Sequence, residues 1–140
     1  MIKFIFKPLA EFSIKQKRDF CIKKIERHMP FYFKRKLPKD VSVIFITSNF
    51  SQKLNKRYRQ KNKSANVLSF VYGREYAEIF ITPARIRKEA AKLGESFKKR
   101  LVKMIIHGMI HCSGLDHERS PKEEKQFENL EKKLIGVFLP

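Results

Sequence analysis

Three of the chain's four histidines fall within eleven residues, "HGMIHCSGLDH", from His107 to His117. The stretch follows an apolar series at helical spacing, Leu101, Met104, Ile105 and Ile110, and is broken by Gly114. Residues four apart on an α-helix share one face, so His107 and His111 project side by side. Gly114 is free to take positive φ, which lets the chain reverse and bring Asp116-His117 back towards the helix end. Two imidazoles one turn apart, met by a third, have the spacing that a zinc ion needs for Zn–N bonds of about 2.0–2.1 Å. Three protein ligands with a fourth position open to water describe a catalytic zinc, one Zn2+ per chain, rather than a structural one. A water acidified by such an ion serves hydrolysis. The competing reading is a set of hydrogen-bonded histidines on a helix, and the glycine-turned third member argues against it. Cys112 lies about 100° round the helix from His111 and reads as core.

The rest of the chain must supply a scaffold for that helix. "IKFIF" (Ile2 to Phe6) reads as a strand ended by Pro8. Ser13 with Gln16 forms a capping-box pattern, and Ile14, Cys21, Ile25 and His28 recur at helical spacing until Pro30. His28 is taken as structural or exposed. "VSVIFI" (Val41 to Ile46), "NVLSFV" (Asn66 to Val71) and "EIFIT" (Glu78 to Thr82) read as strands, with Gly73 in the turn between the last two. A helix over about Asn49 to Arg59 shows Phe50, Leu54 and Tyr58 on one face. Thr82-Pro83 starts a helix that Gly94 stops. Ser96 caps the histidine-bearing helix, and Ser120-Pro121 with Glu123 opens the last one. Phe127, Leu130 and Leu134 give that last helix a buried stripe before Gly136. The expected fold is α+β: one domain over residues 1–140, a small mixed four-stranded sheet packed with about five helices. The zinc site then sits at a helix end, in a zincin-like arrangement.

Charge points to the partner. The chain carries 32 Lys plus Arg against 14 Asp plus Glu, net +18. From Asp116 onward there are six acids and five bases, so the first 115 residues hold +19. A field of that size favours polyanions, nucleic acid before a membrane surface. Six bases and no acid lie between Lys53 and Lys63: Lys53, Lys56, Arg57, Arg59, Lys61 and Lys63, with Tyr58 among them. Lys and Arg tracking phosphates beside a ring available for stacking suit single-stranded RNA, and the alternative is a solvated helix face. Arg59 stands out because a guanidinium can clamp a phosphate bidentately and stabilise charge developing on it. No stretch is long and apolar enough to span a membrane. The first dozen residues are too soon interrupted by Lys7, Pro8 and Glu11 to read as a secretory signal. Cys21 and Cys112 provide no disulfide framework. A cytoplasmic protein is expected.

The spacing H-x-x-x-H-x-x-G-x-x-H is also that of the metzincin proteases, which place a glutamate base directly after the first histidine. That position is Gly108 here, which opposes a peptidase. The motif instead resembles the H-G-x-x-H-x-x-G-x-D-H signature of the YbeY endoribonucleases, the bacterial rRNA maturation factors. "LNKRYRQKNKSANVLSF" (Leu54 to Phe70) is similar to that family's L-N-x-x-[YW]-R-x-K-x-x-[ST]-x-[DN]-V-L-S-F segment, and "AEIFIT" (Ala77 to Thr82) falls where the family has G-D-I-x-I-[SC]. Departures are Ala65, Ala77 and Glu78.

The resemblance implies zinc on His107, His111 and His117. It implies RNA cleavage that depends on Arg59, and a role for Ser69 in RNA binding carried over from "VLSF". It also implies single-strand-specific, zinc-dependent endoribonuclease activity in maturation of the 3′ end of small-subunit rRNA and in ribosome quality control. The partners would be single-stranded RNA, ribosomal RNA and the small ribosomal subunit, with no membrane and no DNA. Asp116 is expected to orient a ligand imidazole or to act as acid/base, and its alternative is a turn residue. Two other functions remain to be weighed: a non-catalytic zinc-containing ribosome assembly factor and a zinc peptidase.

Overall fold

The computed structural model describes residues 6–7 and 22–139. Of the expected first strand it describes Phe6, in β1 (Phe6–Lys7), and Ser13, Ile14, Gln16 and Cys21 lie outside the described residues. The described end of the first helix is α1 (Ile22–His28), with Ile25 buried and His28 exposed. Pro30 stops this helix, but its φ of −60° also suits a cap position and opens a short second one, α2 (Phe31–Lys34), anchored by the buried Phe33. A proline cannot continue a helix, yet its fixed φ favours starting one. That added helix brings the described total to six, where about five were expected.

The elements that follow are β2 (Asp40–Phe45), α3 (Ser48–Arg59), β3 (Val67–Tyr72), β4 (Tyr76–Ile81), α4 (Pro83–Leu93), α5 (Phe97–Cys112) and α6 (Pro121–Phe138). Their starts follow local chemistry. Thr47, Ser96 and Ser120 each accept a hydrogen bond from the backbone N–H three residues on, at 3.1 Å. Such a bond satisfies one of the N–H groups that a helix start leaves open. Thr82 occupies the cap position of α4 without a side-chain bond, and Pro83 begins that helix instead. Gly94 ends it at φ 68°. Gly136 does not end α6, which runs on to Phe138 because that ring is buried against the core.

Strands β2, β4 and β3 form the body of a mixed sheet in that order, β2 parallel to β4 and β4 antiparallel to β3. The short β1 pairs parallel along the outer side of β2. One sheet face carries Val41, Val43 and Phe45 beside Ala77, Ile79 and Ile81, all fully buried or nearly so. Helix α5 covers that face with Leu101, Ile105, Met109 and Ile110 in the same core. The chain is a single small α+β domain.

Helix α3 departs from its expected orientation. Phe50 and Tyr58 are exposed, and their rings lie along Phe80 and Phe70 at 6.5 and 5.3 Å. The buried residues of α3 are instead Ser51 and Asn55. Ser51 Oγ donates to the Ala65 carbonyl and accepts from the Ala65 N–H, while Asn55 Nδ2 donates to the Lys63 carbonyl. A buried loop backbone must find partners, and these two side chains supply them.

Helix α5 approaches the sheet tightly at Gly108. A Cβ there would lie 2.8 Å from Ile79 Cγ2, 3.1 Å from Ser69 Oγ and 3.2 Å from Val67 Cγ2. Gly108→Ala should therefore destabilise the domain by about 1–3 kcal/mol through overpacking. Gly136→Ala, where nothing lies within 4 Å, should stabilise it by about 0.5–1 kcal/mol through helix propensity. Denaturant unfolding of both variants checks the pair, and equal effects would contradict the packing argument.

Candidate metal centre and cleft

The last turns of α5 carry His107 and His111, and Gly114, at φ 102°, reverses the chain. The turn beyond is held from several sides. Asp116 Oδ1 accepts from the Glu118 N–H at 2.9 Å, and the Asp116 N–H donates to Glu123 Oε1 at 3.0 Å. Glu123 also pairs with Arg119 at 3.3 Å. These bonds return His117 to the helix end. Ligand-type atoms of His107, His111 and His117 all lie within 4.8 Å of one another, and the ring centroids are 4.9 to 5.2 Å apart.

All three rings rest on one side chain. Phe127 of α6, buried at 1% exposure, has its centroid 4.9, 5.0 and 5.1 Å from His107, His111 and His117. Glu131, one turn further along α6, lies 2.8 Å from His107 Nδ1 through Oε2. Phe127 belongs to the expected apolar stripe of this helix, whereas the parts that Glu123 and Glu131 take at the site are not among the expectations. The available signal was their spacing, since 123, 127 and 131 are four apart and share one helix face.

Electrostatics favour the form of His111 that binds metal. Burial, then the neighbouring His107 and His117, push His111 down from 6.5 to about 4, and Arg59 adds to this while Asp116 opposes it. A neutral imidazole offers the lone pair that a metal requires. The donor set therefore fits a metal ion: three imidazoles converge, His111 is held neutral and His107 has its second nitrogen occupied. Cys112 is buried, with its thiol raised to about 12 by desolvation, which keeps it an inert core residue as expected.

The triad opens into a cleft of about 540 Å³, also lined by Arg59, Lys61, Asn66, Ser69, Phe70 and Asp116. Arg59 and Lys61 flank the left-handed Gln60 at the end of α3, so the helix end delivers both to the cleft. Lys53, Lys56, Arg57 and Lys63 are exposed but do not line it. Arg57 lies over the Tyr58 ring at 5.5 Å, and Tyr58 meets the cleft-lining Phe70 edge-on. Ser69 Oγ donates to the Gly108 carbonyl at 3.1 Å and so ties the cleft wall to α5. The Asp116 carboxylate is held below its usual value, chiefly by the Glu118 N–H. Among the described residues, no hydrogen bond joins it to an imidazole.

The family model described as Endoribonuclease YbeY matches residues 7–138. The endoribonuclease YbeY of Aquifex aeolicus is 33% identical over 103 residues, covering 69% of each chain. That of Polynucleobacter asymbioticus is 40% identical over 100 residues, 68% of this chain and 63% of the relative. That of Agrobacterium fabrum is 30% identical over 129 residues, 86% and 73% of the two chains. A solution structure from Thermotoga maritima superposes with a TM-score of 0.65 at 23% identity, over 96% of this chain and 87% of that one. At that identity it supports the fold alone.

The depressed value of His111 has a consequence for metal-free protein. Between about 6.5 and about 4 the unfolded chain takes up a proton at His111 that the folded chain refuses. Folding stability should then fall as pH drops through that range. His111→Gln should lose this part of the slope while retaining the carboxylate contribution at lower pH. Thermal unfolding of chelator-treated protein between pH 4 and 7 measures it, and parallel curves for the two proteins would reject the assignment.

Proposed function

The chain belongs to the YbeY endoribonuclease family, and from that premise we propose that it is a zinc-dependent, single-strand-specific endoribonuclease. We assign it to maturation of the 3′ end of small-subunit ribosomal RNA and to ribosome quality control, as one hydrolase domain over residues 1–140 working in the cytoplasm. The observation that carries the proposal is one cleft shared by the three converging histidines and Arg59. A metal site and a phosphate-binding cation are then available to the same segment of RNA. No helix among the described residues is long and apolar enough to cross a membrane.

His107, His111 and His117 would hold the ion, one Zn2+ per chain. The arrangement is zincin-like in its two ligands four apart at a helix end and a third beyond a glycine turn. When bound, the metal supplies a Lewis acid and lowers the pKa of water. The remaining work falls to the protein's own groups. Arg59 offers two parallel N–H donors to the scissile phosphate and steadies the negative charge that grows there. Lys61 neutralises phosphate at the same wall, and Lys53, Lys56, Arg57 and Lys63 extend a positive surface that attracts the strand. Tyr58 and Phe70 give that approach an aromatic edge. Ser69 shapes the wall by bonding Gly108, and its oxygen retains acceptor capacity towards the RNA. Asp116 lines the cleft as a carboxylate able to accept a proton, while it also forms the turn that presents His117.

Packing at Gly108 favours this reading over peptide hydrolysis. The position where a metzincin carries its glutamate faces Ile79, Ser69 and Val67 of the sheet, and even a Cβ is crowded there. A ribosome assembly factor without catalysis would use the same basic surface, so activity and metal content must be measured together. His111→Ala should lose both zinc and cleavage of a single-stranded ribosomal RNA fragment. Arg59→Glu should retain one zinc and lose cleavage by about 100-fold or more, the scale set by removing a preorganised donor. Chelation should abolish cleavage and added zinc restore it. Full activity of metal-free protein would refute the proposal, and stoichiometric ribosome binding by zinc-loaded protein without cleavage would favour the assembly factor.

A further inference from the structure

Helix α6 directs one line of side chains at the histidine cluster. Glu123, Phe127 and Glu131 are spaced four apart and reach, in turn, the 116–119 turn, all three imidazole rings and His107 Nδ1. Only the last touches a ring nitrogen. Among the described residues, the Glu131 carboxylate meets His107, at 2.8 Å, and both side chains are about a quarter exposed. An ionised carboxylate can only accept, so the nitrogen facing it must carry the proton. In a neutral imidazole the proton then sits on Nδ1 and the free lone pair on Nε2.

We propose that Glu131 is the positioning residue for ligand His107: its carboxylate holds the Nδ1 proton and so keeps Nε2 as the metal-donating nitrogen. The inference rests on the reading of the triad as a metal centre. Phe127 fixes where the ring lies, and Glu131 fixes which edge of the ring is presented. A hydrogen bond from a carboxylate to the outer nitrogen also makes the imidazole a stronger donor. The other two histidines have no such side-chain partner among the described hydrogen bonds. His107 is therefore the ligand whose tautomer this site controls.

Two readouts test the assignment on the full chain, with wild type, Glu131→Ala and Glu131→Gln compared. The first is the histidine tautomer of metal-free protein near neutral pH, read by long-range ¹H–¹⁵N NMR correlation. Wild type should show His107 protonated on Nδ1, Glu131→Gln should largely keep that form through its amide oxygen, and Glu131→Ala should shift towards the Nε2–H form. The second is zinc affinity by competition with a chromophoric chelator. Glu131→Ala should weaken binding by roughly 10–100-fold, and Glu131→Gln by less. Unchanged tautomer and unchanged affinity in Glu131→Ala would overturn the inference. If Glu131→Ala does not fold, Glu131→Gln decides alone: a retained Nδ1 proton with weakened zinc binding supports the role, and wild-type affinity overturns it. Should wild type bind no zinc, the metal reading fails, and the tautomer comparison still judges Glu131.

Discussion

The seat of α5 on the sheet fixes the geometry on which the site depends. Gly108 lets the helix backbone come within reach of Ile79, Val67 and Ser69, and Ser69 Oγ bonds the Gly108 carbonyl there. His107 immediately precedes that contact and His111 follows one turn later. A helix held further from the sheet would carry both imidazoles away from the wall that bears Asn66, Ser69 and Phe70. The absence of a side chain at 108 thus serves placement first. It also leaves no carboxylate next to His107 of the kind that metzincin peptidases with the same histidine spacing use.

Electrostatics divide the cleft into two zones. The imidazoles must stay neutral to bind a cation, and His111 is kept so by burial, by its two partners and by Arg59. Arg59 and Lys61 line the same cleft, and under the proposed function they are the cations that meet phosphate. A strongly basic chain would ordinarily oppose a divalent cation. Glu123 and Glu131 reduce that conflict locally, since these two of the segment's six acids bond the Asp116 N–H and lie against His107 Nδ1. The change in charge pattern after residue 115 has a structural meaning in this respect.

The sequence made local features readable and hid those created by distant contact. Helical spacing placed His107 and His111 on one face, Gly114 foretold the reversal, and Ser96 and Ser120 marked helix starts, because each depends on a few neighbouring residues. The orientation of α3 was not readable in the same way. Phe50, Leu54 and Tyr58 form a plausible apolar face, but the buried positions went to Ser51 and Asn55, whose partners are the backbone of Lys63 and Ala65. Hydropathy cannot register a polar residue buried to satisfy a loop. Glu131 was invisible for a related reason, since an acid on a helix reads as solvated until its partner, 24 residues away, is placed beside it.

The two halves of the cleft therefore differ in what holds them together. The candidate metal centre is built from residues 107–131, a helix end, a glycine turn and the next helix. Arg59 arrives on a separate element, α3, which leads into a loop whose course depends on Ser51 and Asn55. The loop in turn meets Glu89 through Asn66, and Glu89 is shared with Arg100 at the start of α5. The helix that carries the histidines is thus linked at its first turn to the loop that follows Arg59. Under the proposed function, metal ligation tolerates small shifts of that loop, because among the described residues no hydrogen bond joins it to an imidazole. The phosphate clamp proposed for Arg59 does not, because a guanidinium displaced by an ångström loses its bidentate geometry. Cleavage should depend on the whole domain, whereas the histidine cluster and its partners on α6 lie within residues 107–131.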